Sequence, residues 1–112
     1  VASGHMGMFT RNLGYVLYMS LDKVRAEISE VDTQIIRLIA KRQQLAGRIA
    51  RIKIAEGMPI HDQDRTVKVL ESVFEQAVES RIDPVAVQKI FEMLIAMSED
   101  RQRECSGDGN LP

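Results

Sequence analysis

The sequence predicts an all-α fold of three helices, the first very long. Three observations carry this. Glycine and proline are sparse, seven and three in 112 residues, so little interrupts regular structure. Apolar residues recur at alternating steps of three and four, and no convincing period-2 run suggests a strand. Helix start and stop signals fall between the periodic segments.

The first helix is expected to start near Ser20, an N-cap residue with Asp22 in the first turn. It should end before Gly57, a good C′ residue, with Pro59 just beyond. The second should begin at or near Asp62 and run to about Ser80, with Val67, Leu70, Val73, Phe74, Ala77 and Val78 at helical spacing. The third should begin at Asp83-Pro84, an N-cap followed by proline at the first helical position. Its stripe is Val87, Ile90, Phe91, Leu94 and Ile95.

These helices imply one domain over residues 20–104. Residues 1–19 read as a tag remnant and N-terminal extension: VASGHM resembles an expression scar, and GMFTRNLGYVLYM has no sustained period. Residues 105–112 read as a flexible tail.

Composition narrows the function. Fifteen basic against sixteen acidic residues, with five aromatics and no Trp, argue against nucleic-acid binding. No apolar run reaches the length of a membrane span. The lone cysteine, Cys105, has no partner for an internal disulfide and fits a reducing cytoplasm.

The first helix would be about 36 residues and about 54 Å long. A compact domain of about 90 residues has a radius of gyration of about 12 Å, so such a helix must leave the globule. Yet Leu21, Val24, Ile28, Val31, Ile35, Leu38, Leu45, Ile49 and Ile52 form a heptad seam along it. A seam of this kind needs a second chain, most simply in a two-fold homodimer.

One heptad position, between Leu38 and Leu45, is Arg42. A charge on a buried stripe either reaches solvent, pairs with a carboxylate, or awaits an anion. Lys53 lies eleven residues on and returns to within about 20° of the same face, about 16 Å along the axis. The two side chains could hold one small ligand between them. Arg25 lies about 25 Å before Arg42 and about 100° round, so it could reach such a site only from an antiparallel partner helix. On the third helix the apolar stripe passes into Ser98 and Gln102, which either mark fraying or line the same cavity. Asp62 and Arg65 share a face of the second helix, where a cap with a solvated arginine is the simpler reading of the pair alone.

Taken together, Arg25, Arg42, Lys53, Asp62-x-x-Arg65, Ser98 and Gln102 resemble the pattern of the all-helical (AroQ-class, type II) chorismate mutases. The likeness spans about residues 21–103 and includes LDKVRAEISEVDTQIIRLIAKRQQLAGRIARIK and the HDQDR segment. It implies an intertwined homodimer of three-helix chains. It also implies the Claisen rearrangement of chorismate to prephenate, on the way to phenylalanine and tyrosine. By the same resemblance, Arg25 serves the other chain's site, and Arg42 and Arg65 bind the two substrate carboxylates. Lys53 and Gln102 contact the breaking ether oxygen, so that Lys53, Gln102 and Arg42 form the catalytic set. Asp62 lies near the ring hydroxyl and Ser98 near a carboxylate. The family usually has Glu directly after the second-helix arginine, where this chain has Thr66. Either Thr66 reaches the hydroxyl through water, or Asp62 serves it alone.

The chemistry suits these residues. A pericyclic step needs no nucleophile, metal or redox cofactor, and no paired Cys, HExxH or phosphate-binding Gly loop occurs. It needs a folded conformer, held by bidentate arginines, and donors aimed at developing negative charge. Two other readings remain: an isochorismate-pyruvate lyase of the same fold, against which Asp62-x-x-Arg65 counts, and a non-enzymatic helical dimerisation or regulatory module, which leaves Arg42 unexplained.

Overall fold

A computed structural model describes the backbone of residues 2–106 and the side chains of residues 20–106. It consists of α1 (Ala2–Glu56), α2 (Gln63–Glu79) and α3 (Pro84–Ser106), with no strand among the described residues. No helix among them is long and apolar enough to cross a membrane.

Two expected boundaries move. Helix α1 does not begin at Ser20: it is helical from Ala2, and Ser20 is an interior residue. Between Met8 and Ser20 there is no proline and only one glycine, so nothing in that stretch breaks the backbone ladder. Helix α3 runs to Ser106, which places Cys105 inside it rather than in a tail. The rest of the expected tail, residues 107–112, lies outside the described residues.

The other boundaries follow local chemistry. Helix α1 ends in a Schellman turn: Gly57 takes φ 67°, its N–H reaches Ile54 O at 3.3 Å, and Met58 N–H reaches Lys53 O at 2.8 Å. Asp62 caps α2 by accepting from Arg65 N–H at 3.1 Å. Asp83 caps α3 by accepting from Val85 and Ala86 N–H, with Pro84 at the first helical position. Helix α2 also ends in a Schellman turn, with Arg81 N–H on Val78 O and Ile82 N–H on Ala77 O, both 3.1 Å. Here the left-handed residue is Arg81, at φ 59°, where glycine is the usual choice.

The chain divides into two units, Val1–Leu38 and Ile39–Pro112, and α1 runs through the boundary. In the first unit Leu21, Val24, Ile28, Val31, Ile35 and Leu38 are between 47% and 66% exposed. In the second unit α2 packs on α3. Its buried apolar residues are small: Ala46, Ala50, Val73 and Ala77. Alanines at 46 and 50, one turn apart on α1, leave space beside that helix, and a cavity occupies part of it.

Candidate active site

The cavity has a volume of about 270 Å³ and lies within the second unit. Helix α1 forms its floor through Leu45, Ala46 and Ile49, with Arg42 at one end and Lys53 at the other. The eleven-residue spacing accounts for both cations lying on one face. Ile60, Asp62, Arg65, Thr66 and Val69 come from the loop and first turns of α2, and Ile95, Ser98, Glu99 and Gln102 from α3.

Arg42 is clamped. One guanidinium nitrogen donates to Leu94 O at 2.9 Å and to Ser98 Oγ. Burial, and secondly the positive charge of Arg65, push its pKa below the ordinary arginine value. An arginine in the native pH range stays charged regardless. Two guanidiniums within repelling range of each other, in a partly enclosed space, form a site with an unmet demand for anions.

Lys53 is clamped at the other end. Its ammonium donates to Ile60 O and to Gln102 Oε1, the latter at 2.9 Å. The Gly57 turn makes the first contact possible, because it folds the 57–62 loop back over the last turn of α1. Gln102 is a buried polar side chain, 6% exposed. Lysine can only donate, so the contact fixes the orientation of the amide: oxygen to Lys53, NH2 free to donate elsewhere. The ammonium keeps a third N–H as well. Two donors thus remain at this end for an oxygen that carries negative charge.

Arg65 differs from both. Its side chain makes no hydrogen bond or ion pair among the described residues, and it is exposed. Asp62 spends Oδ1 on the α2 cap and keeps Oδ2. Thr66 lies one turn further on, its N–H on Asp62 O at 3.0 Å.

Seven of the eight residues singled out from the sequence line this cavity: Arg42, Lys53, Asp62, Arg65, Thr66, Ser98 and Gln102. Arg25 does not; it lies in the first unit and is exposed. The Asp62–Arg65 pair combines both of its readings, since Asp62 caps the helix and lines the cavity as well. Sequence reasoning missed Glu99. A signal was present, because Glu99 is four residues after Ile95 on the inward stripe. It also missed the carbonyls of Ile60 and Leu94, which no residue type announces.

Residues 24–103 match the sequence profile of the family described as chorismate mutase type II. A chorismate mutase of Methanocaldococcus jannaschii is 33% identical over 84 residues, which cover 75% of this chain and 85% of that protein. A bifunctional chorismate mutase/prephenate dehydratase of Buchnera aphidicola (subsp. Schizaphis graminum) is 30% identical over 80 residues, 71% of this chain and 21% of the relative. The bifunctional enzyme of Escherichia coli K12 is 26% identical over 72 residues, 64% of this chain and 19% of the relative. The chain therefore spans about a fifth of these bifunctional relatives. With the profile covering most of its length and a clamped set of cations around one cavity, the chain belongs to the chorismate mutase type II family.

Proposed function

We propose that this cavity converts chorismate to prephenate by selecting the folded conformer of the substrate and stabilising its breaking ether bond. In this rearrangement one C–O bond breaks and one C–C bond forms within a single molecule, so no proton or electron has to be supplied. Arg42 and Arg65 grip the two carboxylates, which removes the freedom of the enolpyruvyl arm. Ser98, which accepts from Arg42, holds that guanidinium in position and faces the same carboxylate. The ammonium of Lys53 and the amide NH2 of Gln102 donate to the ether oxygen, where negative charge develops only on the way to the transition state. Asp62 and Thr66 serve the ring hydroxyl. The observation that carries the reading is the Lys53–Gln102 contact at 2.9 Å, which leaves two fixed donors at one end of a cavity with two guanidiniums.

The proposal includes a homodimer in which the partner's Arg25 completes the site. The exposed heptad row of residues 21–38 supports it. So does the scarcity of large buried apolar side chains in the chain's own core. Covering the six half-exposed residues would contribute about 1 kcal/mol apiece. A cytoplasmic setting fits the lone thiol.

The first test mixes the purified protein with chorismate and follows loss of ultraviolet absorbance, with the product identified by acid conversion to phenylpyruvate. Catalytic formation of prephenate is expected, and a folded protein that leaves chorismate untouched overturns the reading. The shared site has its own test. Arg25→Ala and Lys53→Ala chains, unfolded and refolded together, should regain part of the activity, because one site in each mixed dimer holds both residues. Proven mixed dimers without recovery would exclude sharing of Arg25.

A further inference from the structure

Glu99 is a carboxylate in a cavity whose other chemistry attracts a dianion. It lines the cavity through a side chain only 17% exposed. A carboxylate there repels the substrate's carboxylates; its contacts with His61 and Arg103 hold it in place and leave acceptor positions that suit a hydrogen-bond donor. We infer that Glu99 is a specificity-determining residue that accepts a hydrogen bond from the hydroxyl of the substrate ring. This rests on the chorismate reading given above.

Three observations lead there. First, both partners of Glu99 stand outside the cavity. His61 Nδ1 meets Oε2 at 2.9 Å, and Arg103 Nη2 donates to Oε1 at 3.4 Å; neither residue is among the lining. An ionised carboxylate has about four acceptor positions. Two are occupied by residues outside the lining, which leaves acceptor positions open on a held group that itself lines the cavity. Second, Glu99 is tied to the start of α2. Its partner His61 is the residue immediately before Asp62, so the two carboxylates occupy the same end of the cavity wall. Third, the other acceptors there are weaker. Asp62 has committed Oδ1 to the α2 cap, and Thr66 contributes a neutral hydroxyl. An ionised acceptor makes a hydrogen bond roughly twice as strong as a neutral one.

His61 and Arg103 act as positioning residues in this arrangement. They bridge Glu99 to the 57–62 loop and to its own helix one turn on, and they replace the solvation that a part-buried carboxylate loses.

The test compares chorismate with an analogue that lacks the ring hydroxyl, on wild type, Glu99→Gln and Glu99→Ala. Wild type should favour chorismate strongly. Glu99→Ala should lower kcat/KM for chorismate by about 10- to 100-fold, the range for a lost hydrogen bond to a charged group. For the analogue it should change kcat/KM by less than about threefold, since no contact is lost. Glu99→Gln keeps the size and one acceptor oxygen but loses the charge and one of the two outer contacts, so it should fall between. If Glu99→Ala does not fold, Glu99→Gln decides alone, by a loss confined to chorismate. An equal loss for both substrates would mean that Glu99 only braces the fold, and no loss for either would mean that it touches nothing; both overturn the inference. Wild type inert toward chorismate would overturn the function itself, and the role of Glu99 with it, before any variant is measured.

Discussion

Helix α1 and helix α2 deliver their cations to the cavity in different states. Arg42 and Lys53, on α1, each arrive held by two protein acceptors: Leu94 O with Ser98 Oγ, and Ile60 O with Gln102 Oε1. Arg65, on α2, arrives with none among the described residues. A group that is held before substrate enters loses little freedom during the reaction, and its field is already aimed. A group that is loose is ordered by the ligand and spends part of its interaction on that ordering. The difference separates a cation suited to the transition state from one suited to capture.

That contrast breaks most readily at Lys53. Lys53→Ala should leave a folded protein, because the side chain lies at the cavity edge and leaves no large void in the core. Its kcat should fall by about 10²- to 10³-fold or more, the scale of a lost preorganised donor. Steady-state kinetics with a helicity measurement decide it. A folded Lys53→Ala protein with near-normal kcat would remove the electrostatic mechanism altogether.

Arg65→Ala should act differently in kind. In the proposed mechanism its guanidinium binds a carboxylate present in both ground and transition states, so KM should rise more than kcat falls. A rise of about tenfold or more corresponds to one charged hydrogen-bonding group. If kcat carried the whole loss instead, Arg65 would belong with the preorganised set, and the contrast between the two helices would disappear.

Two turns of the same type sharpen the comparison further, because only one of them adjoins the cavity. Gly57 sits at φ 67° with open space around its missing Cβ, so Gly57→Ala meets no clash and suffers only the left-handed backbone penalty, about 1 kcal/mol. That turn also presents Ile60 O to Lys53, so some loss of kcat should accompany the loss of stability. Arg81, at φ 59°, closes α2 away from the cavity lining. Arg81→Gly should stabilise the protein by about 0.5 kcal/mol, since relief of backbone strain exceeds the added entropy of the unfolded chain, and it should leave kcat alone. Thermal melts beside kinetics separate the two; an equal kinetic effect from both turns would show that the Gly57 loop has no special claim on Lys53.

How legible this was depended on whether a residue type carried the signal. Asp83-Pro84, Asp62 and Gly57 announce helix ends by their own chemistry, and the structure uses all three as such. Arg42 stood out because a charge interrupted a heptad, and Lys53 because eleven residues is close to three turns. The failures have the opposite character. The start of α1 at Ala2 could not be read from an N-cap at Ser20, since serine is tolerated inside a helix that continues behind it. The left-handed Arg81 has no sequence mark, because arginine is rare in that role. The carbonyls of Ile60 and Leu94 belong to every residue alike. Glu99 was hidden in a run where five of the six residues from 99 to 104 are charged, and there a surface helix face is the ordinary expectation.

The smallest expected effect concerns the His61–Glu99 contact between the α2 loop and α3. His61 is exposed, and its pKa is raised, first by the hydrogen bond to Glu99, then by that to Gln63 and by the charge of Glu99. Both ring nitrogens face acceptors, Glu99 Oε2 at 2.9 Å and Gln63 Oε1 at 3.0 Å, an arrangement that the doubly protonated ring satisfies and the neutral ring does not. A group whose pKa is higher folded than unfolded stabilises the fold in its protonated form. That contribution is full below the unfolded histidine value of about 6.5 and is lost as pH rises through the raised folded value. The pair is best probed at pH of about 5.5, below the ordinary histidine value. Wild type should therefore melt slightly above His61→Gln near that pH, and the gap should close by about pH 9, well past any ordinary histidine titration. A gap that does not change across this range would mean that the imidazolium contributes nothing, and that Arg103 alone holds Glu99 from outside the cavity.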